Sequence, residues 1–190
     1  MWCTRGKTWV MRINTKSFQM TGLLLCGGKS SRMGSDKGLL TTSGITWAET
    51  AFHKLSAVVS PIAISVNSEQ LPFYTKHFTK HLFIVDNDQL KIGGPLCGLL
   101  SAHIQMPGED ILLLACDLLF METAVFDALL QQQKQMPEKE AFVFTQEEEA
   151  EPLCGIYSRS LVKELENHIR EGKFKLITFL DQALGLAALQ

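Results

Sequence analysis

Leu23–Leu40 reads LLLCGGKSSRMGSDKGLL. An apolar run breaks into Gly27 and Gly28, passes Lys29, Arg32 and Gly34, and ends on Asp36-Lys37. Glycines bare their backbone N–H groups and let the chain approach a ligand closely. An arginine can grip phosphate oxygens in a bidentate fork, and a lysine adds a point charge. Together these suit a highly charged phosphate ester, with Arg32 and Lys37 as its cationic contacts. A glycine-rich turn with solvated cations is the plainer alternative.

Two familiar phosphate cradles fail on spacing. The dinucleotide fingerprint G-x-G-x-x-G does not fit adjacent Gly27 and Gly28. The G-x-x-x-x-G-K-[ST] loop matches Gly28-Lys29-Ser30 but requires glycine at position 23, which is Leu23. Asp117 is a third chemical feature, placed directly after the apolar run of ILLLAC. A carboxylate there, facing a phosphate loop, suits a hard cation such as Mg²⁺. Its other role would be the N-cap of a following helix, but Leu118 and Leu119 make a poor first turn. The five histidines, at 53, 77, 81, 103 and 168, form no ligand spacing or triad. Covalent hydrolase chemistry therefore has little support.

The elements that must position these residues are legible as blocks. Leu23–Cys26, Ile62–Val66, Leu82–Val85 and Ile111–Ala115 are continuous apolar runs. Continuous rather than alternating runs mark strands covered on both faces, as in a parallel sheet. Between them, helical periodicity predicts helices over Thr46–Val59, Leu96–Gln105 and Glu122–Lys134. Further on, Ala141–Thr145 and PLCGIY are expected as strands and Arg159–Arg170 as a helix, with the acidic run Gln146–Glu151 a solvated loop. The two PLCG segments, Pro95–Gly98 and Pro152–Gly155, are read as coincidence and not as a repeat. The alternation predicts a three-layer, doubly wound α/β domain with a mostly parallel, Rossmann-like sheet. Ligands of such sheets bind off the carboxyl ends of the strands. The residues at those ends are Gly27 onward, Asn67, Asp86 with Gly93-Gly94-Pro95, and Asp117, and they are expected on one rim.

The bulk numbers narrow the class. The chain has 190 residues and a formal net charge of −2, so no global basic field recruits nucleic acid. Five cysteines, at 3, 26, 97, 116 and 154, show no metal-finger spacing, and their odd number favours a reducing cytoplasm. Residues 1–19 carry Arg5, Lys7, Arg12 and Lys16 and no acid. Their longest apolar run, Trp9-Val10-Met11, is shorter than the roughly 7–15 residues of a signal-peptide core. No stretch reaches the ~18 apolar residues of a membrane span. Residues 1–20 are thus expected to be a flexible basic extension and 21–190 one catalytic domain in the cytoplasm, bound to no membrane.

LLLCGGKSSRMGSDKGLL closely resembles the L-x-G-G-x-S-x-R-M-G-x-D-K signature of the molybdenum cofactor guanylyltransferases. This family lies in the nucleotidyltransferase superfamily with a sugar-nucleotide-synthase-like fold. ISVNS, IVDND, GGPLCGLLSA, LLLACDLLF and EPLCGIY extend the likeness over about residues 21–180. The resemblance implies GTP as donor, molybdopterin or its molybdenum form as acceptor, Mg²⁺ as cofactor and a monomer or weak oligomer. Carried over residue by residue, it implies that Leu25, Gly27, Gly28 and Lys37 contact the nucleotide and that Asn67 and Asp86 place the guanosine. Asp117 would hold Mg²⁺, and catalysis would rest on Arg32, Lys37 and Asp117. The family's closing Asn-bearing motif has no counterpart before Gln190. Mg²⁺ is therefore expected to rest mainly on Asp117 and the nucleotide, with Asp181 contributing little. A related cytidylyl- or sugar-nucleotide transferase, or a GTP-binding module with little turnover, stays open.

Overall fold

The computed structural model describes residues 20–27, 36–146 and 149–170. Its frame is a six-stranded sheet: β1 (Met20–Leu25), β4 (Ile62–Val66), β5 (Leu82–Val85), β6 (Asp110–Ala115), β7 (Ala141–Gln146) and β8 (Glu149–Tyr157). The spatial order is β5-β4-β1-β6-β8-β7. β5, β4, β1 and β6 run parallel, and β8 pairs antiparallel with both β6 and β7. β1 is central because both its faces are apolar, which only a strand covered twice tolerates. A separate two-stranded ribbon joins β2 (Thr41–Thr42) to β3 (Ile45–Thr46).

Among the described residues five α-helices cover the sheet: α1 (Trp47–Ser56), α2 (Leu71–His77), α3 (Pro95–Gln105), α4 (Thr123–Gln135) and α5 (Arg159–Arg170). Alternation along β1 splits the core into two. Leu23 and Leu25 pack with Leu99 and Leu100 of α3 and Leu161 and Leu165 of α5. Leu24 and Cys26 pack with Ala51 and Leu55 of α1, Tyr74 of α2 and Phe126 of α4. The result is the expected three-layer α/β arrangement.

α1 starts on a capping box. Thr46 Oγ1 accepts from the Glu49 N–H at 3.1 Å, and Glu49 Oε2 accepts from the Thr46 N–H at 2.9 Å. That reciprocal pair satisfies two donors a helix start would otherwise leave bare. α3 sits unusually close to the sheet because Gly98 lacks a side chain. A Cβ there would stand 2.5 Å from Ser65 Oγ and 2.7 Å from Leu25 Cδ2.

The acidic run is corrected by the structure. Gln146 ends β7 and Glu149–Glu151 open β8, with Phe144 opposite Glu151 and Gln146 opposite Glu149. β6 pairs with β8 only from Cys154 to Tyr157, so the Glu149–Glu151 end of β8 has β7 as its one partner strand among the described residues. The two PLCG segments fall in helix α3 and strand β8. No helix among the described residues is long and apolar enough to cross a membrane. Residues 1–19, 28–35 and 171–190, which include most of the expected basic extension 1–20 and Asp181, lie outside the described residues.

Candidate functional site

β1 has β4 on one side and β6 on the other, so the chain's winding reverses between β1 and β6. Crevices at such reversals, beyond the strands' carboxyl ends, are where ligands bind. A cleft of about 200 Å³ opens there. Leu25 at the end of β1 with Cys26 and Gly27 after it, Ala115 at the end of β6 with Cys116 and Asp117 after it, Asp36, Lys37, Pro95 and Leu153 line it.

Lys37 and Asp117 meet in this cleft. Lys37 stands in a single 3-10 turn, Lys37–Leu39, and its Nζ lies 3.0 Å from Asp117 Oδ2. Their side chains are 42% and 35% exposed, which makes the pair reachable by an incoming ligand. Asp117 is not a helix N-cap. α4 begins six residues later, at Thr123, with Glu122 as its N-cap. Between them, turns join Leu118 N–H to Ala115 O and Met121 N–H to Leu118 O, and Lys54 Nζ donates to the Leu119 carbonyl. The segment carrying Asp117 is thereby tied to α1.

Gly27 and Asp86 form a second corner. The Gly27 N–H donates to the Ser65 carbonyl at 3.0 Å, and a Cβ on Gly27 would stand 2.8 Å from Asp86 Oδ2. The carboxylate can sit that close only because residue 27 is glycine. Ser65 Oγ donates to Asp86 Oδ1 at 3.1 Å. Burial pushes the Asp86 carboxyl above its ordinary pKa; the Ser65 hydroxyl opposes this and the charge of Asp88 adds to it.

Of the residues expected at the site, Leu25, Gly27, Lys37 and Asp117 line one cleft, and Asp86 stands behind Gly27. Gly28 and Arg32 lie outside the described residues. Asn67 sits in the turn after β4, where its Oδ1 accepts from the Gln70 N–H at 2.9 Å, so it shapes the entry to α2. Asp36 was visible in the motif without a role. Its carboxylate accepts from the Gly38 N–H, the Tyr74 hydroxyl and Gln70 Nε2, at 3.0, 2.9 and 2.8 Å. The sequence analysis assigns nothing to Gln70 or Tyr74, since α2 is only seven residues long and shows too little period to read. The NSEQ turn before Pro72 is the one local hint.

A divalent cation can be accommodated but not caged. Among the described residues no group of three or more His, Cys, Asp or Glu side chains converges. Mg²⁺ characteristically needs only one or two carboxylates when substrate phosphates complete its shell. Asp117, partly exposed on the cleft, fits that role.

The description "MobA-like NTP transferase domain" matches residues 22–184. A molybdenum cofactor guanylyltransferase of Serratia proteamaculans is 31% identical over 166 residues, 87% of this chain and 81% of that protein. The molybdopterin-guanine dinucleotide biosynthesis protein A of Archaeoglobus fulgidus shares the fold, with a TM-score of 0.69 and 23% identity over 86% of this chain and 80% of that one. Rv0371c of Mycobacterium tuberculosis, solved in complex with manganese, superposes with a TM-score of 0.58 at 18% identity, over 78% of this chain and 75% of that one. The chain belongs to the MobA-like NTP transferase family, the family of the molybdenum cofactor guanylyltransferases, and is a nucleotidyltransferase.

Proposed function

We propose that the chain transfers GMP from GTP to molybdopterin, releasing pyrophosphate. The observation that carries this is the meeting of Lys37 and Asp117 at 3.0 Å beside the bare backbone of Gly27, at the sheet's winding reversal. The names of the relatives supply the donor and the acceptor.

A phosphate of the acceptor attacks the α-phosphorus of GTP in line. The new P–O bond forms as the bond from the α-phosphorus to the bridging oxygen breaks, and pyrophosphate leaves with that electron pair. A phosphate nucleophile is already ionised near neutral pH, so no general base is required. Positioning and charge neutralisation then supply the catalysis. Lys37 places its ammonium on the triphosphate, and Arg32 adds a second cationic contact. Leu25, Gly27 and Gly28 form the floor on which the nucleotide lies. Asp86 accepts hydrogen bonds from the guanine N–H groups, and Asn67 supports the guanosine through its turn. Asp117 would hold Mg²⁺, which would supply positive charge to offset the charge developing at phosphorus.

Pyrophosphate release tests this with molybdopterin, Mg²⁺ and each of the four nucleoside triphosphates. GTP should react at least about tenfold faster than the others, within the roughly 1–3 kcal/mol that one bidentate base contact gives. Equal release with CTP would make the chain a cytidylyltransferase. Tight GTP binding without release would make it a binding module.

A further inference from the structure

Gln70 carries more structural connections than any role assigned so far explains. Its backbone N–H donates to Asn67 Oδ1 at 2.9 Å, and its Oε1 accepts from the Asn67 N–H at 3.1 Å. Its Nε2 donates twice, to the Cys26 carbonyl at 3.1 Å and to Asp36 Oδ2 at 2.8 Å. One amide thus ties the turn after β4, the end of β1 next to Gly27, and the segment that carries Lys37. Tyr74, one helical turn further along α2, closes the ring by donating its hydroxyl to Asp36 Oδ1 at 2.9 Å. Tyr74 is fully buried, and burial with the neighbouring Cys26, Cys116 and Asp36 holds its hydroxyl far above its ordinary pKa.

The geometry has a direction. Asp36 Oδ1 also accepts from the Gly38 N–H at 3.0 Å, so the carboxylate brackets Lys37 from both sides in sequence. Gly38 is buried against the Tyr74 hydroxyl so closely that a Cβ would overlap it. The backbone of residues 36–38 is therefore pinned while the Lys37 side chain reaches out to Asp117. Charge-assisted bonds of this kind are about twice as strong as neutral ones, and a satisfied buried network fixes one conformation.

We propose that Gln70 and Tyr74 are positioning residues for the transfer reaction: through the Asp36 carboxylate they set the Lys37 ammonium at the triphosphate site and lock it to the floor beside Gly27. This rests on the reading of Lys37 as a triphosphate contact. Neither side chain lines the cleft, and their effect passes through Lys37.

A double-mutant cycle on nucleotide affinity tests this, because a merely structural role would not depend on Lys37. Gln70→Leu keeps side-chain size and removes both amide functions. In the parent it should weaken Mg²⁺–GTP binding about tenfold, as expected when hydrogen bonds to a charged group are lost. In a Lys37→Ala background the same change should cost less than about twofold. Tyr74→Phe, which deletes one hydroxyl, should behave the same way with a smaller loss, and it serves if Gln70→Leu does not fold. Equal losses in both backgrounds, or none in the parent, would overturn the proposal. A second measurement needs no nucleotide: the rate of reductive methylation of Lys37 in the free protein. It should rise several-fold in either variant, as the ammonium leaves Asp117. An unchanged rate would also overturn the proposal. A parent that binds no GTP would refute the guanylyl reading alone, and the Lys37 labelling would still decide the role of Gln70.

Discussion

Replacing Asp117 with asparagine should separate folding from turnover. At 3.0 Å from Lys37 Nζ, the carboxylate's bare Coulomb attraction is about 1.4 kcal/mol at the dielectric constant of water and about 5.5 at an effective value of 20. Both side chains are more than a third exposed, so the lower limit applies, and salt screening and side-chain entropy reduce it further. Asp117→Asn should therefore cost no more than about 1 kcal/mol of stability. For a chain of this size that is a shift of roughly 2–4 °C in Tm. Turnover should respond on a different scale. A neutral amide is a poor ligand for a hard dication, and metal stabilisation of a transferring phosphoryl group is worth several kcal/mol, a loss on the order of a hundredfold or more. The assay pairs calorimetric melting with pyrophosphate release at saturating GTP over a Mg²⁺ titration. GTP binding measured in a chelator should survive the change, since Lys37 is released to meet the phosphates. A folded Asp117→Asn protein that turns over within about threefold of the parent would refute the metal assignment. A fall of more than about 8 °C in Tm would refute the claim that this end of the fold carries function and not stability.

Asp86 predicts a pH dependence. Its raised carboxyl takes up a proton in the folded chain before it would in the unfolded one. Its contribution to stability therefore grows as pH falls from the raised folded value towards the ordinary aspartate value. On the proposed contact between Asp86 and guanine, GTP binding should weaken over the same range, and Asp86→Asn should flatten that dependence in a titration of affinity against pH. Gly98→Ala should cost about 1–3 kcal/mol in chemical denaturation by forcing α3 off Ser65 and Leu25, and a loss below about 0.5 kcal/mol would show that the helix gives way freely. Thr46→Ala should cost about 1 kcal/mol by opening the α1 capping box. Hydrogen bonds from Thr46 hold the Glu49 carboxyl below its ordinary value. The stability it adds is present above the unfolded value and lost as pH falls through the depressed one, so an urea-midpoint scan against pH should flatten in the variant.

The sheet and its winding were legible because its central strands carry a strong signal. Ile62–Val66 and Leu82–Val85 lie where their apolar runs place them, and β6 extends its run by one residue, to Asp110. Lys37, Asp117 and Gly27 could be found because strand ends and a dense motif mark them. α2 was missed because seven residues, with Pro72 near the start, show too little period to read. The β2–β3 ribbon escaped because two-residue strands leave no alternation to detect. The role of Gln70 is a matter of tertiary meeting: it bridges Cys26, Asp36 and Asn67, and no spacing along the chain reports that. The strand ends in the acidic run were hidden for the opposite reason, since a run of charge otherwise marks a loop.

The central position of β1 has a consequence for the chain's assembly. Met20 pairs with Asp110 and Leu25 with Ala115, so the strand made before β4, β5 and β6 is also the one hemmed in by later partners. Contacts this distant in sequence close slowly, because the loop entropy is lost before the pairing repays it. During synthesis, TGLLLC waits with its β6 edge open until Asp110–Ala115 has left the ribosome. Such an unpaired apolar edge is a template for association between nascent chains. The half of the cleft built on Asp117 forms at the same late moment. A chain stopped short of β6 would thus lack Asp117 and leave one edge of β1 unpaired, so the sheet and the cleft are completed by the same pairing event.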